Sequence, residues 1–275
     1  MNQSEKRLHE TSSALKANLQ ETAVADVIID PHRAVLLDLI RDYKGIHNNL
    51  YELLYEVHHP YRNWNLIVPR LRTFVLKNVS LFCGTTKGPE SFRLFSDIFL
   101  QVLDETRKNK TLLSLCMESL LAYVDRIINC GKAELKEYEQ VLAELFSKLH
   151  GLDSQIIMLM VQGQHPMKKI AVSLVEYRKK EATFLIEPAV RLFKRVLQLN
   201  YRYWLEVDDP LPWFLAQCSD MCDNWDAGKL FNAISHDQIR LYLEKLEAIP
   251  VNNDLESLQA MLALPAHMDL VRLYR

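Results

Sequence analysis

The sequence predicts an all-α fold, an irregular multi-helix bundle or solenoid of about ten to twelve antiparallel helices. Apolar side chains recur every three or four residues rather than at alternate positions, which is the spacing of one buried helix face. Glycine is scarce, with 7 residues in 275, whereas hydrophobic residues make up 49% of the chain, enough for a sizeable core. The segments between these patterns are short, which favours antiparallel neighbours.

Helices in the first 150 residues are predicted from apolar faces bounded by caps or breakers. A polar helix over residues 4–22 precedes a long helix that begins at Asp30 and Pro31, an N-cap and first-turn pair. The segment 58–64 ends this helix, because the residue before Pro60 is pushed out of the α region. The next helices have as their apolar faces Leu71, Phe74, Val75, Val79 and Phe82; Phe92, Phe95, Ile98, Phe99, Val102 and Leu103; Leu112, Leu113, Cys116, Leu120, Tyr123, Val124 and Ile127; and Leu135, Tyr138, Val141, Leu142, Leu145 and Leu149.

In the second half, aspartate, serine and proline mark most of the helix boundaries. A short apolar helix follows Asp153, and the longest helical pattern runs over residues 167–205. We expect a kink or break at Pro188, because an interior proline removes a backbone bond and clashes with the preceding turn. The remaining helices are expected over residues 210–224, 235–249, 254–264 and 268–275, the second of them beginning with a Ser235–Gln238 capping box.

Three segments are predicted along the chain. Residues 1–30 form a polar helix and linker, residues 31–165 a helical bundle, and residues 166–275 a long kinked helix with C-terminal helices continuous with that bundle. The last pattern stops without a glycine, proline or cap, so we expect a missing downstream part.

Composition limits the partners and the compartment. The formal net charge is −2 with acidic and basic residues intermixed, which gives no electrostatic case for nucleic acid or an anionic membrane. Five scattered cysteines fit reduced thiols better than a disulfide framework. A polar N-terminus and the lack of a run of about 18 apolar residues predict a cytoplasmic protein. The oligomeric state stays open.

The most aromatic part of the chain is a corner at residues 200–214. Asp209 and Pro210 are typical of an N-cap and a first helical position. Aromatic side chains of this type serve both as core and as interface anchors, so the residue types leave packing and docking open. The candidates for this aromatic corner or docking surface are Tyr61, Trp64, Tyr203, Trp204, Trp213 and Phe214.

Four polar residues are candidates for a pocket inside the bundle, namely His58, His59, Arg62 and Asp208. Such a pocket requires all four to face one cavity. No metal site is assigned, because adjacent histidines on a helix point in different directions and no Cys or carboxylate stands at a ligand spacing.

Other motifs favour structural interpretations, and no catalytic residue is assigned. The loop over residues 84–89 lacks the order of a phosphate-binding loop. The consecutive Ser235, His236 and Asp237 cannot form a hydrogen-bonded relay. Two thiols four residues apart, Cys218 and Cys222, fall short of four zinc ligands. The basic residues Lys168, Lys169, Arg178, Lys179 and Lys180 alternate with glutamates and are typical of a solvated face, with an acidic partner surface as the alternative.

Several motifs resemble the helical N-terminal region of large bacterial phosphoenolpyruvate synthase and pyruvate, phosphate dikinase-like proteins. They are Tyr203-Trp204-Leu205, then Asp209-Pro210 followed by Trp213-Phe214, then residues 234–239 and residues 264–275; residues 58–64 are compatible with them. The resemblance implies that the whole protein has the domains that carry the chemistry in that family: an ATP-grasp domain, a phosphohistidine domain and sometimes a phosphoenolpyruvate-binding barrel. No catalytic residue of those domains maps onto this chain, so ATP and Mg²⁺ are implied only for missing downstream domains, and this chain has no cofactor of its own.

The expected function is a non-catalytic helical accessory, regulatory or docking domain of a phosphoenolpyruvate synthase-like phosphotransferase. Its partners are then the downstream catalytic domains or another protein. Two alternatives remain: a free-standing helical scaffold with a groove floored by Tyr61, Trp64, Trp204 and Trp213, and a small-molecule or metal binder within the bundle.

Overall fold

The computed structural model describes residues 47–83, 88–130, 135–160, 166–178, 184–206 and 236–265. Of these residues 84% are helical and none is in a strand, which confirms the predicted all-α class. No helix in these ranges has the length and apolar character needed to cross a membrane. The predictions for residues 4–22, for 31–46, for 207–235 and for 266–275 lie outside the described residues.

The chain divides into two compact units after Thr106. In the first unit α2 packs against both α1 and α3. Leu54, Val68 and Val75 are fully buried in its core, and the rings of Phe74 and Phe95 lie 5.8 Å apart between centroids. The described helices of this unit are α1 (His47–His58), α2 (Trp64–Cys83) and α3 (Gly88–Glu105).

The predicted break at residues 58–64 is confirmed. The helix α1 ends at His58, and α2 begins at Trp64. Pro60 disfavours the helical conformation at the preceding residue, His59, so the helix stops just before it. The side chain of Asn63 accepts a hydrogen bond from the backbone N–H of Asn65 at 3.1 Å, which satisfies one of the unpaired donors at the start of α2.

The second unit is built around α8, which packs against α5, α6, α7, α9 and α10, while α4 packs against α5 and α7. The buried face of α8 carries Val190, Leu192 and Leu197, all at most 1% exposed. The described helices of this unit are α4 (Lys110–Cys130), α5 (Leu135–His150), α6 (Ser154–Met158), α7 (Pro166–Arg178), α8 (Ile186–Glu206), α9 (His236–Ala248) and α10 (Leu255–Leu262).

The kink or break predicted at Pro188 is wrong in its position, although the long pattern is interrupted. The long pattern over residues 167–205 forms two helices, and residues 184–185 form a turn that precedes α8. Pro188 is the third residue of α8, where the backbone N–H that proline lacks would have no partner within the helix. The break therefore lies ahead of the proline, which is compatible with the first turn of the new helix.

Two aspartates cap helices that begin where the sequence predicts. Asp153 accepts from the backbone N–H of Gln155 at 2.8 Å before α6, and Asp254 accepts from that of Glu256 at 3.0 Å before α10. The segment boundaries after residues 30 and 165 stay predictions. Among the described residues, Cys83 and Cys116 are buried thiols that form no disulfide, and burial raises the pKa of Cys116 well above its usual range.

Candidate anion-binding site

The aromatic candidates divide between the two units. Tyr203 and Trp204 lie in the last turn of α8, but their side chains are outside the part of the chain that the structure describes, as are Asp208, Trp213 and Phe214. Whether these residues form core or a docking surface stays a prediction.

The junction between α1 and α2 holds the other two aromatic candidates in opposite environments. Tyr61 is 90% exposed, whereas Trp64 is 8% exposed and belongs to the core of the first unit. The His59 ring lies between Tyr55 and Tyr61, with centroid distances of 5.7 and 5.9 Å. Its Nδ1 also accepts a hydrogen bond from the backbone N–H of Tyr61 at 3.1 Å, so His59 helps to shape the turn.

Arg62 is bound to the end of α3. Its Nε donates to Oε2 of Glu105 at 2.9 Å, Nη2 donates to Oε1 of the same carboxylate, and the guanidinium lies 5.3 Å from the centre of the Trp64 ring. The Trp64 indole N–H and the Gln101 amide donate to Glu105 at 2.9 Å each. Partial burial raises the pKa of Glu105, but the hydrogen bonds from Arg62, Gln101 and Trp64 outweigh it and hold that pKa below its usual range.

This junction clamp, defined as Arg62, Trp64, Gln101 and Glu105, has the contacts of a structural element. It ties the start of α2 to the last turn of α3 through one carboxylate. The proposed pocket of His58, His59, Arg62 and Asp208 stays a prediction, because Asp208 lies outside the described residues. Within the described ranges no three His, Cys, Asp or Glu side chains converge as metal ligands would.

A basic pocket of about 360 Å³ lies on the polar face of α8 in the second unit. Its α8 residues stand three, one, three, one and three positions apart, which places them on one helix face. The C-terminal end of α5 and the segment between α9 and α10 complete the lining. The pocket is lined by His150, Arg191, Lys194, Arg195, Gln198, Leu199, Arg202 and Val251.

Two of the four cations are fixed by backbone carbonyls at the ends of neighbouring helices. The Lys194 ammonium donates to the carbonyl of Glu247 at 3.1 Å and to that of Ile249, which follows the end of α9. Nη2 of Arg195 donates to the carbonyl of Leu152, two residues beyond α5, at 3.0 Å. Unpaired carbonyls at helix C-termini attract cations, so both side chains stabilise the helix ends as well as line the pocket.

The other two cations form exposed ion pairs. Nη2 of Arg191 lies 2.7 Å from Glu187 and Nη2 of Arg202 lies 3.6 Å from Glu247, with both arginine side chains about half exposed. Four cations and two carboxylates leave this group of side chains with two net positive charges. Exposed pairs of this kind contribute only about 0–1 kcal/mol, so an incoming anion can displace the carboxylates at little cost.

The pocket also contains a histidine, His150, which is affected both by burial and by this positive charge. Burial, then the charges of Arg195 and Arg191, lower the pKa of His150 below its usual range. A neutral imidazole therefore lies beside the guanidinium groups near neutral pH. The smaller part of this shift, caused by Arg195 and Arg191, reflects the positive potential of the pocket.

The basic pocket is not among the sequence-based predictions, although part of its signal is present. Arg191, Lys194, Arg195, Gln198 and Arg202 form a stripe at helical spacing. The basic stretch that the sequence singles out lies elsewhere: Lys168 and Lys169 are on α7, one half-buried and one exposed, and residues 179–180 lie outside the described residues. His150 and Val251 could not be assigned to the pocket without the tertiary fold.

Fold and site together define a class: an all-α protein of two compact helical units, the second carrying a basic pocket on its central helix. No protein-family model, curated protein or solved structure matches the chain. The resemblance to phosphoenolpyruvate synthase-like proteins therefore stays a prediction.

Proposed function

We propose that the chain is a non-catalytic helical docking module that recognises an anionic group through the basic pocket on α8. The observation that supports this proposal is the net positive charge of the pocket on a helix whose other face is core. Because α8 packs against five of the other described helices, its polar face is a rigid platform. Rigid placement lowers the entropy lost when a partner binds.

The partner in this proposal is a downstream catalytic domain of a phosphoenolpyruvate synthase-like phosphotransferase, or a separate protein. The support for the first partner is limited to the sequence motifs at residues 203–214, 234–239 and 264–275. ATP and Mg²⁺ would belong to that catalytic domain and not to this chain.

The alternative of a helical interaction scaffold is favoured by one observation in the first unit. Tyr61 is 90% exposed, with Leu66 at 64% and Tyr55 at 45%, and large exposed side chains are common at interfaces. Trp64 is buried, however, so it can contribute little area to such a groove.

The proposed function is tested by replacing sodium chloride with sodium sulfate at constant ionic strength and following thermal unfolding of the full chain. Sulfate stabilises proteins in general, so the Tm increment of the wild type is compared with that of the Arg191→Gln/Arg202→Gln double variant. The exposed ion pairs that this variant lacks make little contribution to stability. With free sulfate at ten times its Kd, linkage stabilises by about 1.4 kcal/mol, which for a chain of this size raises the Tm by about 3–6 °C.

We expect this extra rise in the wild type and not in the double variant. Arg240→Gln is the matched control, because Arg240 is 66% exposed on α9 and does not line the pocket. Its response should equal that of the wild type. If all three proteins gain the same Tm increment, the pocket does not recognise anions and the proposed function is wrong.

A further inference from the structure

We propose that the basic pocket binds a phosphomonoester dianion, a phosphoryl group carried on a small organic body, in preference to a carboxylate or another monoanion. This inference rests on the proposed function, since it names the ligand class of the same site.

Charge is the first argument for a phosphoryl group. Arg191, Lys194, Arg195 and Arg202 line the pocket, and Glu187 and Glu247 each offset one of them. A phosphomonoester above its second pKa, near 6, carries about two negative charges and matches the two that remain. A carboxylate or sulfonate would neutralise only one.

Hydrogen-bond geometry is the second argument. The hydrogen bonds of Arg191 and Arg195 and the 3.6 Å ion pair of Arg202 each engage Nη2. A guanidinium has five N–H donors in a planar fork that matches the oxygens of a phosphate. Within the described part of the chain, Nε and Nη1 of these three arginines are therefore donors that a ligand can use without breaking the bond to Leu152.

Shape is the third argument. The pocket volume of about 360 Å³ lies at the lower end of the range of small-ligand pockets, roughly 300–1,000 Å³. Leu199 and Val251 add an apolar wall beside the cations, and Val251 is 40% exposed. The site can thus contact an organic group attached to the phosphoryl group.

The test compares phenyl phosphate with benzenesulfonate, which share a ring and a tetrahedral anionic head but differ in charge. Both are titrated into the full chain by calorimetry at pH 7.5 and constant ionic strength. We expect phenyl phosphate to bind at least about tenfold more tightly, a difference of about 1.4 kcal/mol. The Arg191→Gln/Arg202→Gln variant should lose this preference, and Arg240→Gln should keep it.

A second variant tests the charge argument in the opposite direction. Glu187→Gln/Glu247→Gln removes the two competing carboxylates, so the affinity for phenyl phosphate should rise several-fold. A merely structural role of the arginines would not produce a gain. Unchanged affinity in this variant would overturn the inference.

The failures of the two proposals are distinguishable. Equal affinities for phenyl phosphate and benzenesulfonate, both lost in the arginine double variant, would overturn the phosphoryl preference and leave anion recognition standing. Binding of neither ligand, together with a sulfate response that does not depend on the pocket, would overturn both. A phosphotyrosine peptide that binds more tightly than phenyl phosphate would overturn the small organic body and assign the phosphoryl group to a protein partner. Equal affinity would support the proposal as stated.

Discussion

The carboxylate of Glu105 offers the sharpest test of how the first unit is held together. It accepts two hydrogen bonds from Arg62, one from the Trp64 indole and one from Gln101. We predict that Glu105→Ala lowers the free energy of unfolding substantially and that Glu105→Gln lowers it less. The glutamine retains a carbonyl oxygen for the indole N–H but loses the charge.

The expected magnitude follows from the burial of each donor. Trp64 is 8% exposed, and a buried donor left without an acceptor costs about 1–3 kcal/mol. The side chains of Arg62 and Glu105 are 27% and 30% exposed, so their pair is screened by water and contributes about 1 kcal/mol. Glu105→Ala should therefore cost about 2–4 kcal/mol, and Glu105→Gln about 1 kcal/mol.

Urea unfolding of the full chain, followed by circular dichroism, measures these differences, and a double-mutant cycle with Trp64→Phe isolates the indole bond. Phenylalanine keeps the ring but has no N–H, so the coupling between positions 64 and 105 should be about 1 kcal/mol. A Glu105→Ala variant within about 0.5 kcal/mol of the wild type would refute the clamp. Equal costs for alanine and glutamine would refute the part assigned to the indole.

The clamp also predicts the pH dependence of stability. Because the folded-state pKa of Glu105 lies below its unfolded value, the unfolded chain binds the proton more readily. The stability that ionised Glu105 contributes is present above its unfolded-state pKa, near 4.3, and is lost as the pH falls through its folded-state pKa. Glu105→Gln should therefore lose less stability than the wild type on acidification below about pH 4.5.

Two further predictions each concern one polar residue of the second unit, Asn200 and His150. Asn200 is fully buried and, among the described residues, neither of its side-chain polar atoms has a hydrogen-bond partner, so Asn200→Leu should raise the free energy of unfolding by about 1–3 kcal/mol in urea titrations. The matched control is Asn78→Leu in the first unit, which removes a 2.8 Å bond to the Phe74 carbonyl and should destabilise; the reverse order would contradict the reasoning. For His150 the folded-state pKa lies below the unfolded one, so stability should fall as the pH is lowered from about 7 through the folded value. Replacement by glutamine should remove that part of the slope, and an identical pH profile in His150→Gln would show that neither burial nor the charges of Arg195 and Arg191 lower the pKa of this ring.

Sequence-based predictions succeed here where neighbouring residues decide the outcome. The end of α1 before Pro60 and the helix starts at Asp153 and Asp254 depend on contacts within one helical turn. The kink assigned to Pro188 fails for a related reason, since a proline disrupts a helix interior but fits its first turn. Whether Pro188 lies in a helix interior or in a first turn depends on where α8 begins, which is Ile186. Neither a glycine nor a strong cap in the sequence marks that start.

What the sequence alone determined is the class of the protein, because the repeat of apolar residues along a helix is a local property that survives any arrangement of the helices. The tertiary structure alone decided which polar groups meet. Glu105 joins residues 41 and 43 positions away, and His150 and Val251 reach the basic stripe of α8 only because three helices pack together. Such encounters depend on packing between distant segments, which no periodicity records, so the clamp and the basic pocket emerge only in the folded molecule.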